Sequence, residues 1–314
     1  MANIAIYGSG QLGNTVAALL LQVSAHQVFG PFGRDERERA LTAGVDVVII
    51  TTTSLFKDVA EDIEMAVLSG SNVLVSSEES AFPFVVNEAG AIYLDQLAKS
   101  NAVSISGCGV NPGLIFDSLV LTLLGAAPRN CTIEVQRIVD ISGFGTTVLK
   151  RLGIGRSETA FAEGVDRGDI LGHAGFPQSM SVVAQAMGLK IERIEKIISP
   201  IITDKVVDLE HRIIVQPGES AGVNQTYTAF VEEKPWFTSH FFGHIDLINS
   251  GKAAIDEIKL YNDGVIFQTT QLKPGIGSQI GSQNMVANSI QRIITAPPGW
   301  VTVAQMQPAY PELS

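Results

Sequence analysis

Glu78 and Glu79 stand side by side just past a short apolar run, Asn72 to Ser76 (NVLVS). Paired carboxylates at a strand end can orient an amine or carry a proton, most effectively where burial raises one pKa toward neutrality. The same acids also suit the first turn of a following helix, where the dipole favours negative charge. Ser106 to Gly113 (SGCGVNPG) forms a rigid turn whose backbone N–H groups and Asn111 amide can point at a ligand. It serves equally as a domain crossover, with Cys108 a small buried filler. Gly172 to Ser179 (GHAGFPQS) sets His173 among small residues, as a proton donor or carboxylate binder, or as a structural hydrogen-bonder. His26, His211, His240 and His244 have no comparable setting, and no CxxC pattern occurs, so no metal site is expected.

Those residues must be held by elements that are also legible. The chain opens with an apolar run, Ile4 to Tyr7, then Gly8, Gly10 and Gly13 at GxGxxG spacing, then a helical segment, Thr15 to Val23. In such a strand, turn and helix, the first glycine makes the turn, the second lets the backbone approach a pyrophosphate, and the third lets helix lie on strand. Gly8, Ser9, Gly10, Gln11, Leu12 and Gly13 are therefore expected to cradle a dinucleotide at a helix N-terminus. The second strand, His26 to Phe32, ends where such domains choose their cofactor: an acid binds a ribose 2′-hydroxyl, an arginine the 2′-phosphate. Arg34 directly after it favours NADPH, while Asp35 leaves NADH open. The same residues also read as a solvated charge cluster opening a short helix. A third strand, Asp46 to Thr53 (DVVIITTT), is apolar enough for burial on both faces, and it ends in Thr51, Thr52 and Thr53, suited to the riboses.

Helix Phe56 to Leu68, strand Asn72 to Ser76, a helical segment Pro83 to Ser100 and strand Val103 to Ser106 continue the alternation, which predicts an α/β Rossmann domain with a doubly wound parallel sheet over residues 1–112. A helix from Leu114 to Leu124 leads into another texture. Strands are expected at Cys131 to Ile141, Lys205 to Val215, Gln225 to Glu232 and Ile255 to Phe267, with helices at Ser157 to Arg167 and Pro177 to Met187. This predicts an α+β substrate and oligomerisation domain over residues 113–275. A last helix, Ser282 to Ile294, leaves open a return of residues 276–314 to the first domain.

Composition sets limits on function. With 46% hydrophobic residues in 314, the chain can bury a large core. A net charge of −11 argues against broad nucleic-acid binding. Cys108 and Cys131 make no disulfide framework, no apolar run has the length of a membrane span, and the chain starts on a strand, so a cytoplasmic protein is expected.

Taken together, several segments are similar to those of the 2,4-diaminopentanoate dehydrogenase family, relatives of dihydrodipicolinate reductase that include the native amine dehydrogenases. They are GSGQLG, SSEESAFP, SGCGVNPGLIFDSLV, GIGRSETAFAEGVDRGDILGHAGFPQS, SPIIT, PGESAGVNQ and APPGWVTVAQMQP, in family order from Gly8 to Pro308. The resemblance implies NAD(P)-dependent oxidative deamination of a small amine, or reductive amination of a ketone with ammonia. It implies that a glutamate of the Glu78–Glu79 pair is the acid/base, that Asn111 and His173 belong to the catalytic set, and that the protein is a homodimer or homotetramer. Ser77, Asn111 and Pro112 join the expected cofactor contacts, with NADP as cofactor and NAD as the alternative. The chain departs from the family in a short Gly33 to Gly44 segment, in Cys108 where threonine is common, in Gln178 at a variable position, and in Thr146 to Leu152. Two other readings stand beside this one: a cyclic-imine or dihydrodipicolinate-type reductase, and a non-catalytic nucleotide-binding protein. The double histidine and lysine of dihydrodipicolinate reductase are absent.

Overall fold

The computed structural model describes residues 1–22, 26–210 and 212–311. Its backbone packing divides into two units: Met1–Leu121 with Gln178–Gly188 and Ile280–Ser314, and Thr122–Pro177 with Leu189–Gln279. These bounds differ from the expected cut after residue 112. The first unit runs on to Leu121 and takes in Gln178–Gly188, where Ser179 Oγ donates to Asp117 at 2.8 Å, a tie between distant segments that no local pattern announces.

In the first unit, β1 (Ala2–Tyr7), α1 (Gln11–Leu20), β2 (His26–Phe32), α2 (Arg37–Leu41), β3 (Val47–Ile50), α3 (Ala60–Leu68), β4 (Asn72–Val75), α4 (Glu88–Ser100) and β5 (Ser104–Gly107) alternate, followed by α5 (Ser118–Leu124). A sixth strand, Gly299–Trp300, comes from the end of the chain. The sheet runs Gly299–Trp300, β5, β4, β3, β1, β2, all parallel. Strand residues point alternately to its two faces. Ala5, Val48, Ile50, Val73, Val75 and Ile105 pack with Ile63 and Val67 of α3 and Leu94 and Ala98 of α4. Ile4, Ile6, Val47, Ile49 and Leu74 pack with Val16 and Leu20 of α1 and with Ile290 and Ile293. Both faces are covered, which is why β3 reads as an unbroken apolar run. The edge strand β2 tolerates Pro31 because its outer side needs no ladder hydrogen bond. The first helix starts earlier than its apolar pattern, at Gln11 rather than Thr15, because the glycine turn feeds directly into it; Val23, its expected end, lies outside the described residues.

The second unit carries β6 (Cys131–Asp140), α6 (Thr146–Arg151), α7 (Glu158–Arg167), the start of α8 (Phe176–Met187), β7 (Arg193–Ile202), β8 (Val207–Leu209), β9 (Ile213–Val215), β10 (Ser220–Val231), β11 (Lys234–His244), β12 (Ile255–Asn262) and β13 (Val265–Leu272). Its six-stranded sheet runs β13-β12-β6-β11-β10-β7, with β6 and β11 parallel and the other pairs antiparallel. Two expected strands divide here. Lys205 to Val215 becomes the small β8–β9 ladder, with His211 outside the described residues. Ile255 to Phe267 becomes a hairpin, because Asp263 and Gly264 both take positive φ, 49° and 78°, in the turn that Asp-Gly favours. Arg137 of β6 and Asp256 of β12 lie opposite each other and are almost wholly buried, with Arg137 Nη1 donating to Asp256 Oδ1 at 2.6 Å. Arg137 Nη2 also donates to Ile276 O at 2.6 Å and Ser278 Oγ at 3.0 Å, and Ile276 N donates to Asp256 Oδ2 at 2.7 Å, so the pair is satisfied as a buried charge must be. The chain closes with α9 (Ser278–Ala287), α10 (Ile290–Ile294) and Gly299–Trp300, numbered β14. The single helix expected over Ser282 to Ile294 breaks between α9 and α10, where the Ser289 hydroxyl donates back to Met285 O at 2.6 Å and competes with the helix ladder. Among the described residues no helix is long and apolar enough to cross a membrane, and no metal-holding group of His, Cys, Asp and Glu occurs.

Candidate active site

The glycine turn after β1 is built by close approach. Gly8 takes φ +120°, and a Cβ on Gly13 would fall 1.9 Å from Gly8 O, so neither position accepts a side chain. Thr51 lies beneath, its Oγ1 donating to Gly8 O at 3.2 Å or Tyr7 O at 3.3 Å. Asn14 Nδ2 stiffens the turn by donating to Ser9 O at 2.8 Å and Gly10 O at 2.9 Å. Gly10 faces open space, α1 has no side-chain cap, and its first turn holds no acid. Ser9, Gly10 and Gln11 are exposed, Leu12 half-buried. Uncapped amides at an open helix N-terminus are what a pyrophosphate needs, so this cradle fits a dinucleotide.

At the end of β2 the cations divide. Arg37 is held by Asp62 at 2.5 Å and Glu61 at 3.3 Å, and Arg39 pairs with Glu36 at 3.0 Å and lies over the Phe32 ring. Arg34 is exposed and makes no ion pair among the described residues. Of the three threonines, Thr51 is committed to the glycine turn, Thr53 Oγ1 reaches Asp58 Oδ2 at 3.4 Å, and Thr52 is exposed.

After β4, Ser77 is buried and donates to Ser54 O at 3.0 Å, which makes it a scaffold for the loop after β3. Glu79 does the same work with charge: its Oε2 accepts from Phe56 N at 2.7 Å. Glu78 and Glu79 are both half-buried in a short 3-10 turn, Glu78–Ala81, rather than in the first turn of a long helix.

The turn after β5 is held from below. Gly113 takes φ +126°, and a Cβ there would meet Gly109 O at 2.1 Å. Asp117, fully buried, accepts from Gly113 N at 2.8 Å, Ser118 N at 2.7 Å and Ser179 Oγ at 2.8 Å. Burial still pushes its pKa up, against these donors and the nearby Arg292 charge. Asn111 is only 6% exposed, yet neither Oδ1 nor Nδ2 has a hydrogen-bond partner among the described residues. A buried amide left unpaired costs about 1–3 kcal/mol, so it marks a place where a ligand's polar group belongs. Cys108 beside it is buried, its pKa pushed up to about 12 by desolvation, which makes it filler rather than a nucleophile.

The first unit thus gathers Gly8 to Gly13, Arg34, Thr51 to Thr53, Ser77 to Glu79, and Asn111 and Pro112 at the carboxyl ends of its strands. His173 belongs to the second unit. Its ring lies 4.9 Å from that of Phe241 and 5.6 Å from that of Phe176, with Nδ1 2.7 Å from Ala174 O. Its backbone is clamped by the Gln225 amide, which accepts from His173 N at 2.9 Å and donates to His173 O at 3.0 Å. Desolvation lowers its pKa to about 4. At neutral pH the ring is therefore uncharged, and with Nδ1–H donating to Ala174 O it offers Nε2 as an acceptor. Sequence reasoning misses Asp117 and Ser179. Their only local signal is an acid inside the apolar run LIFDSLV, and a serine in GHAGFPQS.

Residues 114–310 match the model of the 2,4-diaminopentanoate dehydrogenase C-terminal domain. The chain belongs to the 2,4-diaminopentanoate dehydrogenase family. The 2,4-diaminopentanoate dehydrogenase of Acetoanaerobium sticklandii is 29% identical over 330 residues, 96% of this chain and 92% of that one. An amine dehydrogenase from Mycobacterium smegmatis shares the fold with a TM-score of 0.84 at 22% identity, over 99% and 97% of the two chains. A probable dehydrogenase from Thermotoga maritima is more distant, with a TM-score of 0.56 at 10% identity over 96% and 92%. Within the 2,4-diaminopentanoate dehydrogenase family the matched model begins at residue 114, directly after the Asn111 turn, and includes the Asp117 brace and His173.

Proposed function

We propose that this protein is an NAD(P)-dependent amine dehydrogenase. In the deaminating direction a small primary ammonium ion similar to 2,4-diaminopentanoate, NADP+ and water give the ketone, an ammonium ion, NADPH and one proton. The carbon bearing the nitrogen gives up its hydrogen as hydride, and water supplies the ketone oxygen; reductive amination is the reverse. The observation that carries this reading is the 29% identity to a 2,4-diaminopentanoate dehydrogenase across nearly the whole of both chains. The first unit, Met1–Leu121 with Gln178–Gly188 and the segment from Ile280, would serve as the cofactor domain, and the second unit as the substrate and oligomerisation domain of a cytoplasmic homo-oligomer.

The amides of Gln11, Leu12 and Gly13 would take the pyrophosphate, with Gly8 to Gly10 as the turn. Arg34 would take a 2′-phosphate, which favours NADP over NAD. Thr52 and Thr53 would meet the ribose side, while Thr51 and Ser77 hold the loops and Pro112 shapes the wall. The unpartnered Asn111 amide would receive the nicotinamide carboxamide. When bound, the nicotinamide supplies the hydride acceptor or donor. The proton work is assigned to the Glu78–Glu79 pair, with Glu78 as the member put to the test and Glu79 also accepting from Phe56 N–H. In deamination Glu78 takes a proton from the substrate ammonium and passes it to solvent as the one proton released, then takes another from the water that attacks the imine carbon and returns it to the departing nitrogen. His173, uncharged, transfers no proton; its Nε2 offers an acceptor to a substrate N–H.

Incubation with 2,4-diaminopentanoate and NADP+ is expected to release ammonia and NADPH in equal amounts. NADPH formation without ammonia would overturn the assignment.

A further inference from the structure

The second unit contains a cleft of about 260 Å³ between α6 and α7, bordered by Lys150, Arg151, Arg156, Arg167, Asp169 and Ile170. Four cations against one acid is a local reversal in a chain of net charge −11. One of the four is accounted for: Arg167 pairs with Asp169 at 2.9 Å and Glu163 at 3.6 Å. Lys150, Arg151 and Arg156 make no ion pair among the described residues, and Arg151 Nε is buried without any hydrogen-bond partner. Helix dipoles explain part of the pattern, since Lys150 and Arg151 occupy the last turn of α6 and Arg167 the last turn of α7. They do not explain Arg156, which lies in the loop between the helices, nor the convergence of all these cations on one concavity. A cleft lined by charge of one sign concentrates counter-ions, and an unpaired buried guanidinium donor is costly until an acceptor reaches it.

We propose that this cleft is a binding site for a small dianionic metabolite, a phosphate monoester or a dicarboxylate. Arg151 and Arg156 supply forked donors to its oxyanion groups, Lys150 a point charge at the mouth, and Ile170 an apolar wall for a short carbon skeleton. The volume lies just below the roughly 300–1,000 Å³ typical of pockets for drug-sized ligands, which sets the ligand class to small. The site uses none of the residues assigned to the cofactor or to proton transfer, although the Arg151 charge also acts on His173.

The test is isothermal titration of the full chain, without cofactor or amine, with inorganic phosphate and separately with succinate, at an ionic strength fixed by sodium chloride. Saturable binding is expected, weakened at least about tenfold in Arg151→Gln/Arg156→Gln. Lys150→Gln, on an exposed side chain whose loss spares the fold, is expected to weaken it several-fold, with circular dichroism as the folding control. Tighter binding of phosphate assigns the ester, and tighter binding of succinate the dicarboxylate. Absence of saturable binding for both probes, or affinities unchanged in both variants, would overturn the proposal.

Discussion

Glu78 and Glu79 are neighbours of the same chemistry, and each is open to its own test. The Glu79 carboxylate already accepts from Phe56 N at 2.7 Å, so its removal leaves a backbone donor unpaired. Glu79→Ala is expected to cost about 1–3 kcal/mol of unfolding free energy in denaturant titrations. Glu78→Gln is expected to lower turnover about a hundredfold or more with cofactor affinity retained. Wild-type turnover in Glu78→Gln, with the loss appearing in Glu79→Gln instead, would exchange the two roles. Arg34, which makes no ion pair among the described residues, is expected to matter to one cofactor: Arg34→Ala should weaken NADPH binding and spare NADH, and equal loss for both would contradict the 2′-phosphate assignment. At this scale the sequence is readable where chemistry and backbone coincide, as in the glycine turn and Asn111. Asp117 escapes because an acid within an apolar run shows its burial only once Ser179, far along the chain, is folded against it.

Elements are legible in proportion to how local their signal is. The strands β1, β3, β4 and β5 announce themselves because both faces of their sheet are covered. β7 does not, since all its residues are exposed or half-buried with no regular alternation. The turn that splits β12 from β13 is written in Asp263-Gly264, and a stricter weighting of that dipeptide finds it. Burial of side chains in the second unit also fixes its response to acid. His173 titrates near 4 when folded and near 6.5 when unfolded, and His240 and His244 are depressed in the same direction by burial. Between those two values the unfolded chain binds more protons, so stability is full above about pH 6.5 and declines as pH falls toward 4. For His173 the decline amounts to at most about 3 kcal/mol. Urea midpoints measured across this range should fall with pH in the wild type and fall less in His173→Gln; parallel slopes would remove His173 from the account.

At the scale of the whole molecule, one unit presents an uncapped helix N-terminus at the carboxyl end of an interior strand of a parallel sheet, and the other a mixed sheet that buries the Arg137–Asp256 pair. The resemblance carried by seven segments and the match of residues 114–310 agree on the family. The domain bounds are less legible, because Gln178–Gly188 joins the first unit through contacts distant in sequence. The measurement that bears most directly on the account is NADPH oxidation over a panel of ketones and keto acids, including one with a 2-amino group, with and without ammonium. An amine dehydrogenase oxidises NADPH only when ammonium is present, and the amine product appears in equal amount. Oxidation that proceeds equally without ammonium would contradict the account and make the protein a reductase of preformed C=N or C=O bonds.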